Sequence, residues 1–175
     1  MAYPFLVYLG LSNGYEQQVG WVLAVLLLTR LGLALGARGI GSWLLPISAC
    51  GLLVVTGAIV RNDAVWLQFY PVVVNAVMAV TFAMSLFQSQ SMIERFARIK
   101  EPHLSAQGVK YTRVVTQIWC AFFVINAICS TYTIYLNDLS IWTLYNGFIA
   151  YILMGILGAG EWLFRTWLKR QGRLV

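Results

Sequence analysis

At 175 residues, 60% hydrophobic and only 10% charged, the chain is far from a soluble domain, in which about 25% of residues are charged. Several of its charge-free runs have the roughly 20 residues needed to cross about 30 Å of hydrocarbon, so too few residues remain to build a water-soluble core. The net charge of +6 does not point to nucleic acid, because Lys and Arg in a membrane protein collect on the cytoplasmic side and attract anionic headgroups there.

Taken in order, residues 2–11 form an apolar run too short for a standard span. Tyr3 and Tyr8 are interfacial residue types, and Pro4 is tolerated in a first helical turn. The run reads as a short or tilted helix, a half-crossing, or the end of a longer helix. No basic segment or small-residue cleavage pattern marks it as a signal peptide. Ser12-Asn13-Gly14 breaks the helix. Residues 18–36 are the first full span. Arg30 lies inside it and either snorkels to the interface or is a buried functional charge. Gly32 and Gly36 form a small-residue pair that permits close helix approach. Residues 42–60 are the second span, with Pro46 near its start. Residues 65–87 are the third. There Pro71 should kink the helix, and Asn75 either bonds a neighbouring helix or caps a carbonyl that Pro71 frees.

Residues 88–113 cannot sit in oil. They hold five of the twelve basic residues, two of the six acids and the only histidine. Ser91 and Glu94 fit a capping box. Met92, Ile93, Phe96 and Ile99 then fall on one helical face, with Glu94, Arg95 and Arg98 on the other. Glu94 and Arg98 make an i, i+4 pair, and Pro102 ends the helix. This predicts a short amphipathic helix in the headgroup plane, followed by a loop over 104–109 and re-entry at Lys110, Tyr111 and Arg113. The candidate lipid- or partner-contacting residues are Met92, Glu94, Arg95, Phe96, Arg98, Lys100 and Arg113.

Residues 114–136 are the fourth span, carrying Gln117, Trp119 and Asn126 and ending in hydroxyls at Ser130, Thr131 and Thr133. Residues 141–164 are the last, with Asn146-Gly147 early, glycines at 155, 158 and 160, and Glu161 paired with Arg165. The fold expected is an all-α polytopic bundle in one integral membrane domain. It has five full spans, a short N-terminal helix and one interfacial helix. With residues 88–113 placed in the cytoplasm, the basic residues split eleven to one in favour of that side, which also puts the C-terminus inside.

These residues resemble two related groups of bacterial inner-membrane proteins. The closer is an uncharacterised multi-pass family often encoded beside aryl-polyene or other fatty-acid-like biosynthesis genes. The resemblance rests on Phe69-Tyr70-Pro71 with Asn75, the run Ser91 to Arg98, Tyr111-Thr112-Arg113 leading to Trp119-Cys120, Phe122-Phe123 and Asn126, Tyr145-Asn146-Gly147, and Gly160-Glu161-Trp162. It covers roughly residues 62–165. More distantly the chain is similar to the intracellular septation protein A family, through Asn62-Asp63, residues 92–98, and Trp119 with Phe122-Phe123. Either resemblance implies an inner-membrane protein tied to the envelope or to cell division, with no established reaction.

Catalytic signals are thin. His103 stands alone, and an acyltransferase of the His-x-x-x-x-Asp type would need an acid where Gly108 stands. Cys50, Cys120 and Cys129 lack metal-ligand spacing. No Gly-rich phosphate loop, paired histidine or acid pair occurs. The expectation is therefore no catalytic residue, no cofactor and no metal. Intramembrane Arg30, Asn75, Gln117, Asn126 and Asn146 serve either interhelical hydrogen bonding or a transport path. A non-enzymatic envelope scaffold fits best, its partners being anionic lipid and another membrane protein or a second copy. A lipid or acyl-chain transporter, or an accessory protein of a polyene or fatty-acid-like pathway, is the alternative.

Overall fold

The computed structural model describes residues 3–36, 44–61, 63 and 65–172, apart from the side chains of 16, 17, 30, 34, 36 and 44–48. Arg38, Asn62 and Arg173 therefore lie outside the described residues, as does the Arg30 side chain. The described residues are helical, without a strand. In order they form α1 (Tyr3–Ser12), α2 (Glu16–Gly36), α3 (Leu44–Arg61), α4 (Val65–Gln68), α5 (Tyr70–Ser85), α6 (Met92–Lys100), α7 (Ala106–Tyr135) and α8 (Leu139–Leu144). A π-helical turn (Tyr145–Ile149) then leads into α9 (Ala150–Arg170).

Among the described residues, three stretches are long and apolar enough to cross a membrane: Val65–Ser85, Ala106–Tyr135 and Leu139–Arg170. The shorter apolar helical stretches are Tyr3–Ser12, Gln18–Leu33 and Ala49–Arg61. Five full spans were expected from the apolar runs, and three meet the criterion here. The outer surface is apolar, with Val60 78%, Leu33 73% and Leu53 71% exposed. Large apolar patches of this kind are not left to water by soluble monomers.

The chain divides into two compact units, Met1–Val77 with Asn126–Ala150, and Met78–Ile125 with Tyr151–Val175. The first unit is built on a core of Val7, Leu23, Leu27, Val55, Ala58, Leu67 and Trp142. The third expected span is interrupted within this unit. Pro71 has no N–H to give the Leu67 carbonyl, and the helix breaks at Phe69 between α4 and α5. The Tyr3 hydroxyl donates to that Leu67 oxygen at 2.8 Å, and the Trp142 indole N–H donates to the Gln68 oxygen at 3.1 Å. Asn75 bonds the carbonyl of Pro71 itself, at 2.8 Å. Aromatic donors from α1 and α8 thus cover the break, because a bare carbonyl in an apolar interior is costly.

Ten residues of α1 rise only about 15 Å. Within the unit it packs on α2, α4, α8 and the π turn, and its Tyr3 stacks on Tyr70 of α5 with ring centroids 4.3 Å apart. Three glycines make close approaches within this unit. An added Cβ would collide with Val19 at Gly10, with Tyr70 at Gly51 (2.8 Å) and with Trp66 at Gly57 (2.7 Å). Gly10→Ala meets a β-branched side chain with little room to turn. It is expected to lower stability by about 1–3 kcal/mol, measured by thermal unfolding in micelles. Gly155→Ala, with nothing within 4 Å of the added Cβ and a gain in helix propensity, should not lower the transition. A Gly10→Ala transition equal to wild type would contradict this packing.

The second unit packs Phe82 edge-on to Phe123, 5.2 Å between centroids, with Trp119 against both Phe122 and Phe123. The helix of the expected fourth span starts earlier than its apolar run, at Ala106, so most of the expected 104–109 loop is helix. Ser105 accounts for this, since its hydroxyl accepts the Gly108 N–H at 3.1 Å as an N-cap does.

Candidate functional site

Two polar constellations stand out, one in each unit. In the first, Asn126 on α7 donates to Asn75 Oδ1 on α5 at 3.0 Å, and Tyr145 Oη donates to Asn126 Oδ1 at 2.7 Å. Next to it, Ser130 Oγ donates to Asn146 Oδ1 at 2.6 Å. The Asn146 amide gives its two N–H groups to Thr133 Oγ1 (3.3 Å) and to the Trp142 carbonyl (2.9 Å). The three asparagines are 4–8% exposed, and both ends of every amide are used. The π turn sets this register. Its 5-residue bond, Ala150 N–H to Tyr145 O, inserts an extra residue into the helix, and both Tyr145 and Asn146 find partners on α7.

Of the expected intramembrane set, Asn75, Asn126 and Asn146 thus lie in this constellation. Gln117 does not. It is exposed on α7, in the other unit. Tyr145, Ser130 and Thr133 complete the network. The hydroxyl-rich end of the fourth span is a sequence signal for the last two, whereas nothing in the spacing marks Tyr145.

The second constellation surrounds α6. Ser91 occupies its N-cap and Glu94 reaches back to the Ser91 N–H at 3.4 Å. Ser91 Oγ faces the other half of the box but stays outside hydrogen-bonding geometry. Two further N–H groups of the first turn are met from outside the helix: Met92 by Ser85 Oγ at 3.0 Å and Ile93 by Thr116 Oγ1 at 3.2 Å. These orphan donors of a helix start must be satisfied when buried, and Ser85, Ser91, Met92 and Thr116 are all 2% exposed or less.

The structure departs from the expected pattern of α6 at Glu94. Grouped by periodicity with Arg95 and Arg98 on the polar face, it is 3% exposed and sits among the buried residues with Met92 and Ala97. Of the apolar face, Phe96 (41%) and Ile99 (61%) are exposed, whereas Met92 is buried. The buried carboxylate is charge-paired within its own helix. Arg98 Nε and an Arg98 terminal nitrogen lie 2.9 and 2.8 Å from Glu94 Oε1, and Arg98 also donates to the Pro102 carbonyl at 2.9 Å.

The other expected residues of this stretch are spread around the same helix. Arg95 donates to Gln88, Lys100 is exposed, and Arg113 on α7 donates to the Leu86 carbonyl at 2.7 Å.

The end of α9 returns to this region of the second unit. Lys169 pairs with Glu101. Arg165 lies 3.2 Å from Glu161, although that contact is not aligned as a hydrogen bond. Arg165 also sits 5.9 Å over the Tyr111 ring, and the Tyr111 hydroxyl donates to the Glu161 carbonyl at 3.4 Å. A recess of about 10 Å³ lies between them, bounded by Glu101, Leu104, Gly108, Tyr111, Thr112, Arg165 and Lys169. That volume is near the minimum for one water. The latch was not foreseen, since its partners lie 68 residues apart.

Among the described residues no group of three or more His, Cys, Asp or Glu side chains is arranged to hold a metal ion. The three cysteines are free and partly buried. No protein-family model, curated protein or solved structure matches this chain.

Proposed function

We propose that the chain is a multi-pass protein of the bacterial inner membrane that acts as a non-enzymatic structural component of the envelope. The observation that carries this reading is that the amides of Asn75, Asn126 and Asn146 are fully paired. Asn126 bonds Asn75 and Tyr145, and Asn146 bonds Ser130 and Thr133, which is the use expected of an interhelical fastening. A transport path would need such groups turned toward a passage.

In this reading α2, α3 and the three long stretches make five crossings. The short α1 lies at the outer end, against α4 and α8, the segments that open two of the spans. The basic 88–113 stretch and the C-terminus face the cytoplasm. The Glu101–Lys169 pair supports their common side, since it joins the end of α6 to the end of α9. The resemblance to the envelope and septation families points the same way.

A scaffold needs a partner, and α9 offers a face for one. Gly155 and Gly160 have no neighbour within 4 Å, and Ile156 and Leu163 are 63% and 60% exposed. Small residues at a lipid-facing position let a second helix approach closely. The partner is a second copy of this chain or another membrane protein.

The test is association in lipid bilayers at high dilution, followed by single-molecule photobleaching of the labelled full-length protein alone and in native membrane extracts. Gly155→Leu with Gly160→Leu should weaken association about tenfold, about 1.4 kcal/mol. Unchanged association counts against the reading. Retention by the purified protein of a free acyl chain, as distinct from membrane phospholipid, would instead favour the lipid- or acyl-handling alternative.

A further inference from the structure

The acids and bases of the second unit are unevenly matched. Its three acids each have a basic neighbour: Glu94 has Arg98, Glu161 has Arg165, and Glu101 has Lys169. Among the described residues of this unit, Arg95, Lys100, Lys110, Arg113 and Arg170 are left with no acid in ion-pair range. Two of these, Arg95 and Lys100, lie on α6.

The outward face of α6 is specific in composition. Arg95 and Ile99 are one i, i+4 pair, and Phe96 and Lys100 are another, so all four share one side of the helix. Ile99 is 61% and Phe96 41% exposed. Glu94 and Ala97, on the opposite side, are buried at 3% and 6%. Two apolar side chains flanked by two bases, on a short helix anchored by its far side, match an anionic bilayer surface. Apolar groups enter the acyl boundary and bases meet phosphate.

We propose that the Arg95–Phe96–Ile99–Lys100 face of α6 is a docking surface for anionic phospholipid headgroups. The proposal rests on the membrane reading above and assigns it a lipid class. The inward Glu94–Arg98 pair keeps the only carboxylate of α6 away from that surface, so no acid on the helix repels the headgroups.

The experiment has two arms, both on full-length protein. In the first, purified protein is offered phosphatidylglycerol or phosphatidylcholine, and retained lipid is counted by native mass spectrometry. Wild type should retain phosphatidylglycerol in preference. Arg95→Gln with Lys100→Gln should weaken that retention about 30-fold, from about 1 kcal/mol per base at the surface. Arg170→Gln, on α9, should change it far less. Equal retention of both lipids by wild type, unchanged retention by the double variant, or an equal loss in Arg170→Gln would overturn the proposal.

In the second arm, a photoreactive benzophenone residue replaces Ile99 in intact membranes. A lipid adduct supports the proposal, while a protein adduct, or none, overturns it. Carbonate extraction of the same membranes separates the two failures. A chain released by carbonate defeats the membrane reading itself, whereas an inserted chain without the lipid adduct defeats only this assignment.

Discussion

Replacing Trp142 by alanine is expected to cost about 3–5 kcal/mol, the range for deleting a fully buried large aromatic. Trp142 is 0% exposed and belongs to the core cluster with Val7 and Leu67. Its loss opens a cavity and also removes the donor to the Gln68 carbonyl at the helix break. Trp142→Phe separates the two effects. It keeps most of the packing and deletes only the N–H, so its expected cost is about 1–3 kcal/mol for one unsatisfied buried carbonyl. Equilibrium unfolding in mixed micelles measures both. If Trp142→Phe were as stable as wild type, the indole hydrogen bond would contribute nothing, and the break would have to be capped another way.

The Glu94–Arg98 pair should respond asymmetrically to truncation. Glu94 has a side chain 4% exposed and Arg98 one that is 29% exposed. Arg98→Ala therefore strands a buried carboxylate, with an expected loss of about 3–5 kcal/mol. Glu94→Gln leaves a guanidinium that can turn toward water and an amide that can still accept from the Ser91 N–H. Its expected cost is lower, about 1–3 kcal/mol. The double variant should lose less than the sum of the two, because each single change exposes the other's unpaired group. Equal losses for the two single variants would mean that Glu94 is not held in a dry environment, and the inward facing of α6 would be wrong.

That facing shows where sequence reasoning works in such a chain and where it stops. Run lengths, Pro71 and the Ser91-x-x-Glu94 box are local signals, and the helices, the break and the α6 cap follow from them. Periodicity is a weaker guide. In water an apolar stripe marks the side turned to the core. On α6 the stripe is split, with Met92 buried and Phe96 and Ile99 exposed, and the buried side is identified by what its polar groups bond. Only some of those partners are local. Glu94 meets its arginine four residues on, which spacing shows, but the Ser85 and Thr116 hydroxyls that seal the same helix start lie 7 and 23 residues from the N–H groups they accept from. Tyr145 reaches Asn126 through a π turn, and no residue pattern announces that extra residue. The start of α7 was missed for a local reason: Ser105 and Gly108 read as loop residues, yet Ser105 caps the helix and Gly108 packs on Leu104.

The covered break between α4 and α5 also bears on the order in which the protein can be completed. The Leu67 oxygen finds its donor 64 residues earlier in the chain, whereas the Gln68 oxygen waits for one 74 residues later. During synthesis the first cap is on hand when Pro71 emerges, and the second arrives only with α8. Until then one carbonyl of the break lacks its indole partner, and an apolar interior supplies no substitute. The first unit is finished only when a segment from beyond α7 has closed over the break.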